Sequence, residues 1–316
     1  MISMRNLSQV IKKELLYQLY SKKVAILLLI LVSLCVVHLV GLFNGVVSSY
    51  NMYQRTENMY IEQGIDIIES LQAENNIVVD GNTTFTDNPL KEDFVNLAIS
   101  IQNLKSNNVI ANTLEYITFV FCTLIFGIYA SHIATYDFKY KTHKSMSVHY
   151  EQNEIVIGKL LSIIIVMVST LAIALLFTFF ASFAVNIMIK NTVPVENFTI
   201  DIFNYQHTLL SQCSFVFAVL SFYIVVGFSM AYILKSMVIP SITLLLYTLL
   251  LPILGAYDFR NVISHFSHSL FSFTARFNMF KPEPIDNLLG ILILVGSASI
   301  LFGLLLIIAN KRSSYD

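Results

Sequence analysis

Charge is what this chain has least of. Of its 316 residues only 12% are Asp, Glu, Lys or Arg, about half the roughly 25% of an ordinary soluble domain. Too few charges remain to clothe a water-facing surface, which excludes a soluble globular protein. The formal net charge of −1 is uninformative, because the placement of the charges matters more than their sum. Tryptophan is absent, so an aromatic belt at a membrane interface has to be built from Tyr and Phe. Cysteine is scarce. Cys35, Cys122 and Cys213 all lie in apolar runs, with none of the spacings of zinc or redox sites, and read as small buried hydrophobes. There is also no phosphate-cradling loop. Gly158-Lys159 supplies a final Gly-Lys, but Asn153 and Leu160 stand where the first glycine and the hydroxyl belong. No H-E-x-x-H and no paired glutamates occur in the apolar runs, so intramembrane catalysis has no visible machinery. No enzyme activity, resident cofactor or nucleic-acid partner is expected.

What is present is apolar length. Hydrophobic residues make up 56% of the chain, and they are gathered into runs. A helix needs about 20 apolar residues to cross a hydrocarbon core of roughly 30 Å. Six runs meet that length, at 24–46, 114–135, 160–189, 209–234, 237–255 and 288–309. The first is too long for a signal-peptide core and reads as a retained anchor. The fold class expected is therefore all-α, a polytopic membrane protein with six transmembrane helices. Pro240 and Pro252 lie near the ends of the fifth run, where a missing backbone donor predicts bent or short ends.

Lysine and arginine set the orientation. Arg5, Lys12, Lys13, Lys22 and Lys23 precede the first run, and Lys139, Lys141, Lys144 and Lys159 separate the second from the third. Lys235 lies in the turn between the fourth and fifth, and Lys311 and Arg312 follow the sixth. With six spans all these fall on one side. That side is read as cytoplasmic, with both termini there and the chain in the cell membrane.

Three segments are not simple spans. Residues 1–23 predict an amphipathic helix lying at the cytoplasmic interface, with Ile11, Leu15, Leu16 and Leu19 on its apolar face, and Lys12, Lys13 and Glu14 as its interfacial polar residues. Membrane lipid is its expected partner. The long segment 47–113 has helical spacing at Ile61, Ile65, Ile68 and Leu71, and again at Phe94, Leu97, Ile101 and Leu104. Turn signals lie between them, which predicts an extracellular helical hairpin. In 256–287, Phe259, Ile263, Phe266, Leu270, Phe273 and Phe277 step by four and three, predicting one amphipathic outer helix at the interface or re-entering the membrane. Among polar residues in or beside the runs, His38, Asn44 and Glu115 stand out, and His38 is expected to make interhelical hydrogen bonds. Nearly charge-free spans argue against ion-coupled transport or conduction.

The inner connection at 136–159 carries a further pattern. An acid, Asp137, is followed by Lys141-Thr142, then by Met146-Ser147-Val148, then by Gly158-Lys159. This order, together with the N-terminal amphipathic helix and six spans, resembles the permease subunits of ATP-binding-cassette transporters of the ABC-2 type. In that family an acid, a Gly-Thr step, a Leu-Pro-Val-like run and a Gly-Lys pair mark the coupling helix that docks on the ATPase. The resemblance implies that Asp137, Lys141, Thr142, Lys144, Met146, Val148, Gly158 and Lys159 form the ATPase-coupling site. It also implies a separate ATPase subunit carrying ATP and Mg, and a second permease subunit, identical or not. The function expected is export of an amphipathic or hydrophobic cargo such as a peptide, an antibiotic or a lipid-linked molecule. The alternative is a non-transporting membrane sensor or scaffold that binds through its extracellular loop.

Overall fold

The computed structural model describes residues 4–75, 77–80, 83–140, 146–198 and 208–313, and most of them are helical. In chain order the helices are α1 (Met4–Tyr20), α2 (Lys23–Glu62), α3 (Ile67–Gln72), α4 (Pro89–Asn103), α5 (Ser106–Ile117), α6 (Thr123–Lys139), α7 (Gln152–Lys190), α8 (Leu209–Leu234), α9 (Val238–Leu245), α10 (Phe259–Leu270) and α11 (Asn287–Ser313). Two π-helical turns, Thr118–Cys122 and Leu246–Leu250, continue α5 into α6 and extend α9. Among the described residues, five helical stretches are long and apolar enough to cross a membrane: Lys23–Glu62, Asn108–Lys139, Gln152–Lys190, Leu209–Leu234 and Asn287–Lys311. The fifth predicted run is shorter than expected. Its helical part, Val238–Leu250, rises only about 20 Å at 1.5 Å per residue.

The long helices outrun their apolar runs. α2 has 40 residues and α7 has 39, each about 60 Å long and twice the hydrocarbon thickness. Polar residues such as Ser48, Asn51 and Gln54 end the apolar run of α2 but not its helix, because helix continuation needs only backbone propensity and a packing partner. That partner is α4. Leu90, Leu97 and Ile101 bury themselves against Leu42, Val46 and Tyr53, and Thr56 Oγ1 donates to Asp93 Oδ2 at 2.6 Å. The first of the two predicted outer helices is much reduced: Gly64, at φ 73°, ends the turn after α2, and Asp66 caps a six-residue α3. The turn-rich stretch between them forms a two-stranded antiparallel ladder, β1 (Ile77–Asp80) with β2 (Thr83–Thr86), in register from Ile77 opposite Thr86 to Asp80 opposite Thr83.

α6 and α8 run parallel and form the tightest helix pair in the bundle. Phe119 lies beside Phe215, Gly127 against Gly227 and Phe138 beside Tyr232. Ser131 Oγ donates to the carbonyls of both Gly127 and Gly227, at 2.9 and 3.0 Å. Small residues let two backbones approach this closely where lipid offers no hydrophobic drive to associate. Both helices finish at one end of the bundle, at Lys139 and Lys235, where α1 also docks. From there α9 passes Gly127 through Leu244 and meets Asp258, the N-cap of α10, through the Tyr247 hydroxyl at the other end. α11 starts against α10, with Gly290 under Phe266 and Val262, and returns toward the lysine-bearing end.

A Cβ at Gly227 would lie 2.3 Å from the Gly127 carbonyl oxygen. Gly227→Leu is therefore expected to lower stability by about 1–3 kcal/mol, read as thermal unfolding in detergent. Gly296→Leu, with open space around its Cα, should leave the transition unchanged.

Candidate functional site

At the lysine-bearing end, polar side chains from three helices meet inside apolar packing. α1 contributes Glu14 and Gln18, α6 contributes Tyr129, Tyr136 and Asp137, and α7 contributes Lys159 and Ser162; all are buried. The Tyr136 hydroxyl donates to the Glu14 carboxylate, 2.8 and 2.6 Å from its two oxygens. Gln18 bridges the other two helices: its Oε1 accepts from the Tyr129 hydroxyl at 2.6 Å, and its Nε2 donates to Ser162 Oγ at 2.8 Å. Lys159 Nζ is ion-paired with Asp137, donates to the Ile133 carbonyl at 3.4 Å and sits 4.2 Å from the Tyr136 ring centroid. Tyr17 stacks on Tyr136 with centroids 4.1 Å apart, and Lys23 Nζ donates to the Tyr17 hydroxyl at 2.8 Å. Buried polar groups of this kind are tolerated only when paired.

α1 docks on the bundle through a face other than the apolar one that its spacing assigns to lipid. Val10, Glu14 and Gln18, four residues apart, are the buried stripe, so Glu14 faces the bundle and is not an interfacial residue. Leu16 and Leu19 are exposed, as are Lys12 and Lys13. The polar stripe points inward because α6 and α7 present matching donors and acceptors there, whereas Leu16 and Leu19 can be left to lipid at no cost. Gly158 makes the approach possible: a Cβ on it would lie 2.5 Å from Val10 Cγ1.

Of the expected coupling residues, Asp137 and Lys159 are joined directly, and Gly158 lies under α1. The Gly158-Lys159 pair does not open the third helix. It sits inside α7, which begins at Gln152, where Glu154 accepts from the Glu151 backbone N–H at 3.3 Å. Since α6 runs to Lys139, the connection shrinks from 136–159 to 140–151. Met146 is buried there and Val148 is 77% exposed. Lys141, Thr142 and Lys144 lie outside the described residues. Spacing did not single out Gln18, Tyr129, Tyr136 or Ser162. The available signal was polar side chains recurring at helical intervals inside otherwise apolar faces.

At the distal end the predicted six-residue stripe is split. Phe259, Ile263, Phe266 and Leu270 are on α10, but the chain leaves the helix after Leu270, so Phe273 and Phe277 belong to an irregular segment. Side chains take up the released backbone groups: Gln212 Nε2 donates to the Leu270 carbonyl at 2.9 Å, and Glu115 Oε2 accepts from the Phe273 N–H at 3.2 Å. Asp258 and Arg260 anchor the start of α10. Burial works against the Asp258 charge, but hydrogen bonds from Arg260, Tyr247 and two backbone N–H groups outweigh it and hold its pKa at about 2. Arg260 also donates to the carbonyls of Leu251 and Pro252, each at 2.7 Å, closing the end of the short α9 segment. His38 is buried but stacks on Tyr116 at 4.7 Å, and neither ring nitrogen has a hydrogen-bond partner among the described residues. The expected interhelical hydrogen bond is replaced by ring stacking.

No family model, no curated protein and no solved structure matches the chain.

Burial pushes the Glu14 carboxyl above its ordinary value of 4.5, against the opposing pull of Lys159 and the Tyr136 hydrogen bond. A raised folded-state pKa means that the protonated form is favoured by folding. Its contribution to stability is complete below 4.5 and fades as pH rises through the raised value. Thermal unfolding followed from about pH 5 to pH 8 is expected to show this loss in the unaltered chain and a flatter profile in Glu14→Gln. Glu14→Ala should cost about 1–3 kcal/mol by leaving the Tyr136 hydroxyl buried without its acceptor.

Proposed function

We propose that the chain is the membrane subunit of an ATP-driven exporter of the ABC-2 kind, two such subunits working with a separate ATPase that carries ATP and Mg. The observation that carries this reading is the anchoring of the 140–151 connection. Its two flanking helices are cross-linked by the buried Asp137–Lys159 pair, and α1 is locked to both through Glu14 and Gln18. A push on the connection would therefore move α1, α6 and α7 as one body, which is what a coupling element has to do. Val148 is exposed on that connection and free of the bundle, and it is a natural contact for the ATPase.

Six crossings are part of the proposal, with 237–255 as the fifth. The support is topological: α8 finishes at the lysine-bearing end, α10 and α11 begin at the other, and the short α9 segment joins them. Its missing length is made up by the non-helical Leu251–Gly255, whose carbonyls at Leu251 and Pro252 are capped by Arg260. Both termini then lie on the lysine-bearing side, which positive-inside makes cytoplasmic in the cell membrane, and α2, α4 and the β-hairpin form the extracellular extension. An amphipathic or hydrophobic cargo suits a 470 Å³ cavity between α8, α10 and α11, lined by Phe215, Val219, Phe222, Ile263 and Leu294. Its nearly wholly apolar wall would admit such a molecule sideways from the bilayer.

Purification of the full-length chain from its native membrane is expected to bring an ATPase subunit with it. Val148→Asp should weaken that association about tenfold or more, the loss expected for an interface anchor of over 1 kcal/mol, while the unfolding temperature of the permease is unchanged. Absence of any ATPase from the native complex, or full association of Val148→Asp, would sink the coupling reading.

A further inference from the structure

The lysine-bearing end holds a second polar feature, which adjoins the Glu14–Lys159 network at Tyr136. A cavity of 580 Å³ opens between the end of α6 and the α8–α9 turn, lined by His132, Thr135, Phe138, Lys139, Lys235 and Met237 among others. Its volume is that of a small-molecule site, roughly 300–1,000 Å³. The His132 ring sits 2.9 Å from the Met237 sulfur, which ties the turn to α6 and keeps the cavity's shape. Lys235 Nζ lies 5.6 Å from the Phe138 ring centroid, and Lys139 Nζ 5.6 Å from that of Tyr140. Lys23 is within electrostatic reach of both Lys139 and His132.

No carboxylate lines this cavity, and neither Lys139 nor Lys235 is paired with one among the described residues. Glu14 and Asp137, the acids of the adjoining network, are buried and turned to Tyr136 and Lys159. The positive charge is therefore left for a ligand to neutralise. Lys235 also holds the left-handed backbone conformation at φ 50°, a helix-ending position that favours glycine. The lysine there puts a cation at the cavity mouth. Beside the mouth, Val238, Ile239 and Ile242 on α9 are more than half exposed, at 58%, 54% and 52%, and form an apolar track along the membrane-facing side.

We propose that this cavity binds the phosphate headgroup of an anionic phospholipid from the adjacent leaflet, with Lys139 and Lys235 as its counter-charges and the acyl chains lying along α9. Basic pockets between membrane helices bind acidic headgroups by this complementarity. The site rests on the chain's being membrane-embedded and is independent of the exporter reading. It would bind lipid with no ATPase present.

Native mass spectrometry of the full-length chain in detergent tests it, with phosphatidylglycerol and phosphatidylcholine of matched acyl chains as probes. The unaltered chain should retain phosphatidylglycerol and release phosphatidylcholine. The double variant Lys139→Gln with Lys235→Gly should retain about twenty-five-fold less phosphatidylglycerol, since each basic residue contributes about a fivefold effect. Glycine suits the backbone at 235, so such a loss is not a folding defect, and an unchanged unfolding temperature verifies that. The charge-matched variant Lys105→Gln with Lys190→Gln, at the opposite end, should bind as the unaltered chain does. Equal retention of the two lipids, or undiminished phosphatidylglycerol on the Lys139/Lys235 variant, would overturn the proposal. Displacement of the lipid by millimolar inorganic phosphate would overturn it too, making the ligand a free phosphate.

Discussion

Lys159 and Asp137 face each other where neither could stay charged alone. Both side chains are 2% exposed, in a bundle whose surroundings are hydrocarbon-like, and removing one partner of such a pair typically costs about 3–5 kcal/mol. Much of the lysine-bearing end is organised around this constraint. α6 has to extend past its apolar run to place Asp137, and α7 has to begin before its own to place Lys159. The carbonyl of Ile133 and the face of Tyr136 complete the ammonium's surroundings, and the Tyr136 hydroxyl then needs an acceptor. Glu14 supplies it, and α1 is drawn onto the bundle by a polar stripe. An excess of carboxyl over ammonium in this small volume is relieved by Glu14's tendency to hold its proton.

The distal end obeys the same rule with backbone groups in place of charges. Wherever a helix stops short there, at Leu250 or Leu270, side chains from elsewhere take up the released carbonyls and N–H groups: Arg260, Gln212 and Glu115. Irregular backbone at membrane depth is tolerated only where protein satisfies it, and these residues let the fifth apolar segment be short. The two ends differ in consequence. The lysine-bearing end is cross-linked by buried side chains, while the distal end is a set of short elements packed on α6, α8 and α11.

Between the ends, the α6–α8 contact at Gly127 and Gly227 sets the spacing of the bundle, and the exposed faces of α9 and α11 remain for lipid or for another subunit. The polar network and the neighbouring basic cavity share α6 and meet at Tyr136. Asp137 turns to α7, while His132 and Lys139 turn to the α8–α9 turn.

The membrane character, the helical class and five of the long apolar helices were legible in the sequence, because each depends on the local density of apolar residues and a helix satisfies its own backbone. So was α10 as far as Leu270, from its three- and four-residue spacing. Helix ends were not legible: α2 and α7 run beyond their apolar runs because packing partners and caps, not hydropathy, decide where a helix stops. The inward face of α1 was hidden for a related reason. Periodicity assigns Ile11, Leu15, Leu16 and Leu19 to the lipid side, but it does not show that Glu14 and Gln18 are buried, because Tyr136, Tyr129 and Ser162, more than a hundred residues away, complete their hydrogen bonds. The chain's composition by itself determined that it belongs in a membrane. Only the tertiary structure decided which of its few polar residues are inside, since a polar group can be buried only beside a partner that sequence distance conceals.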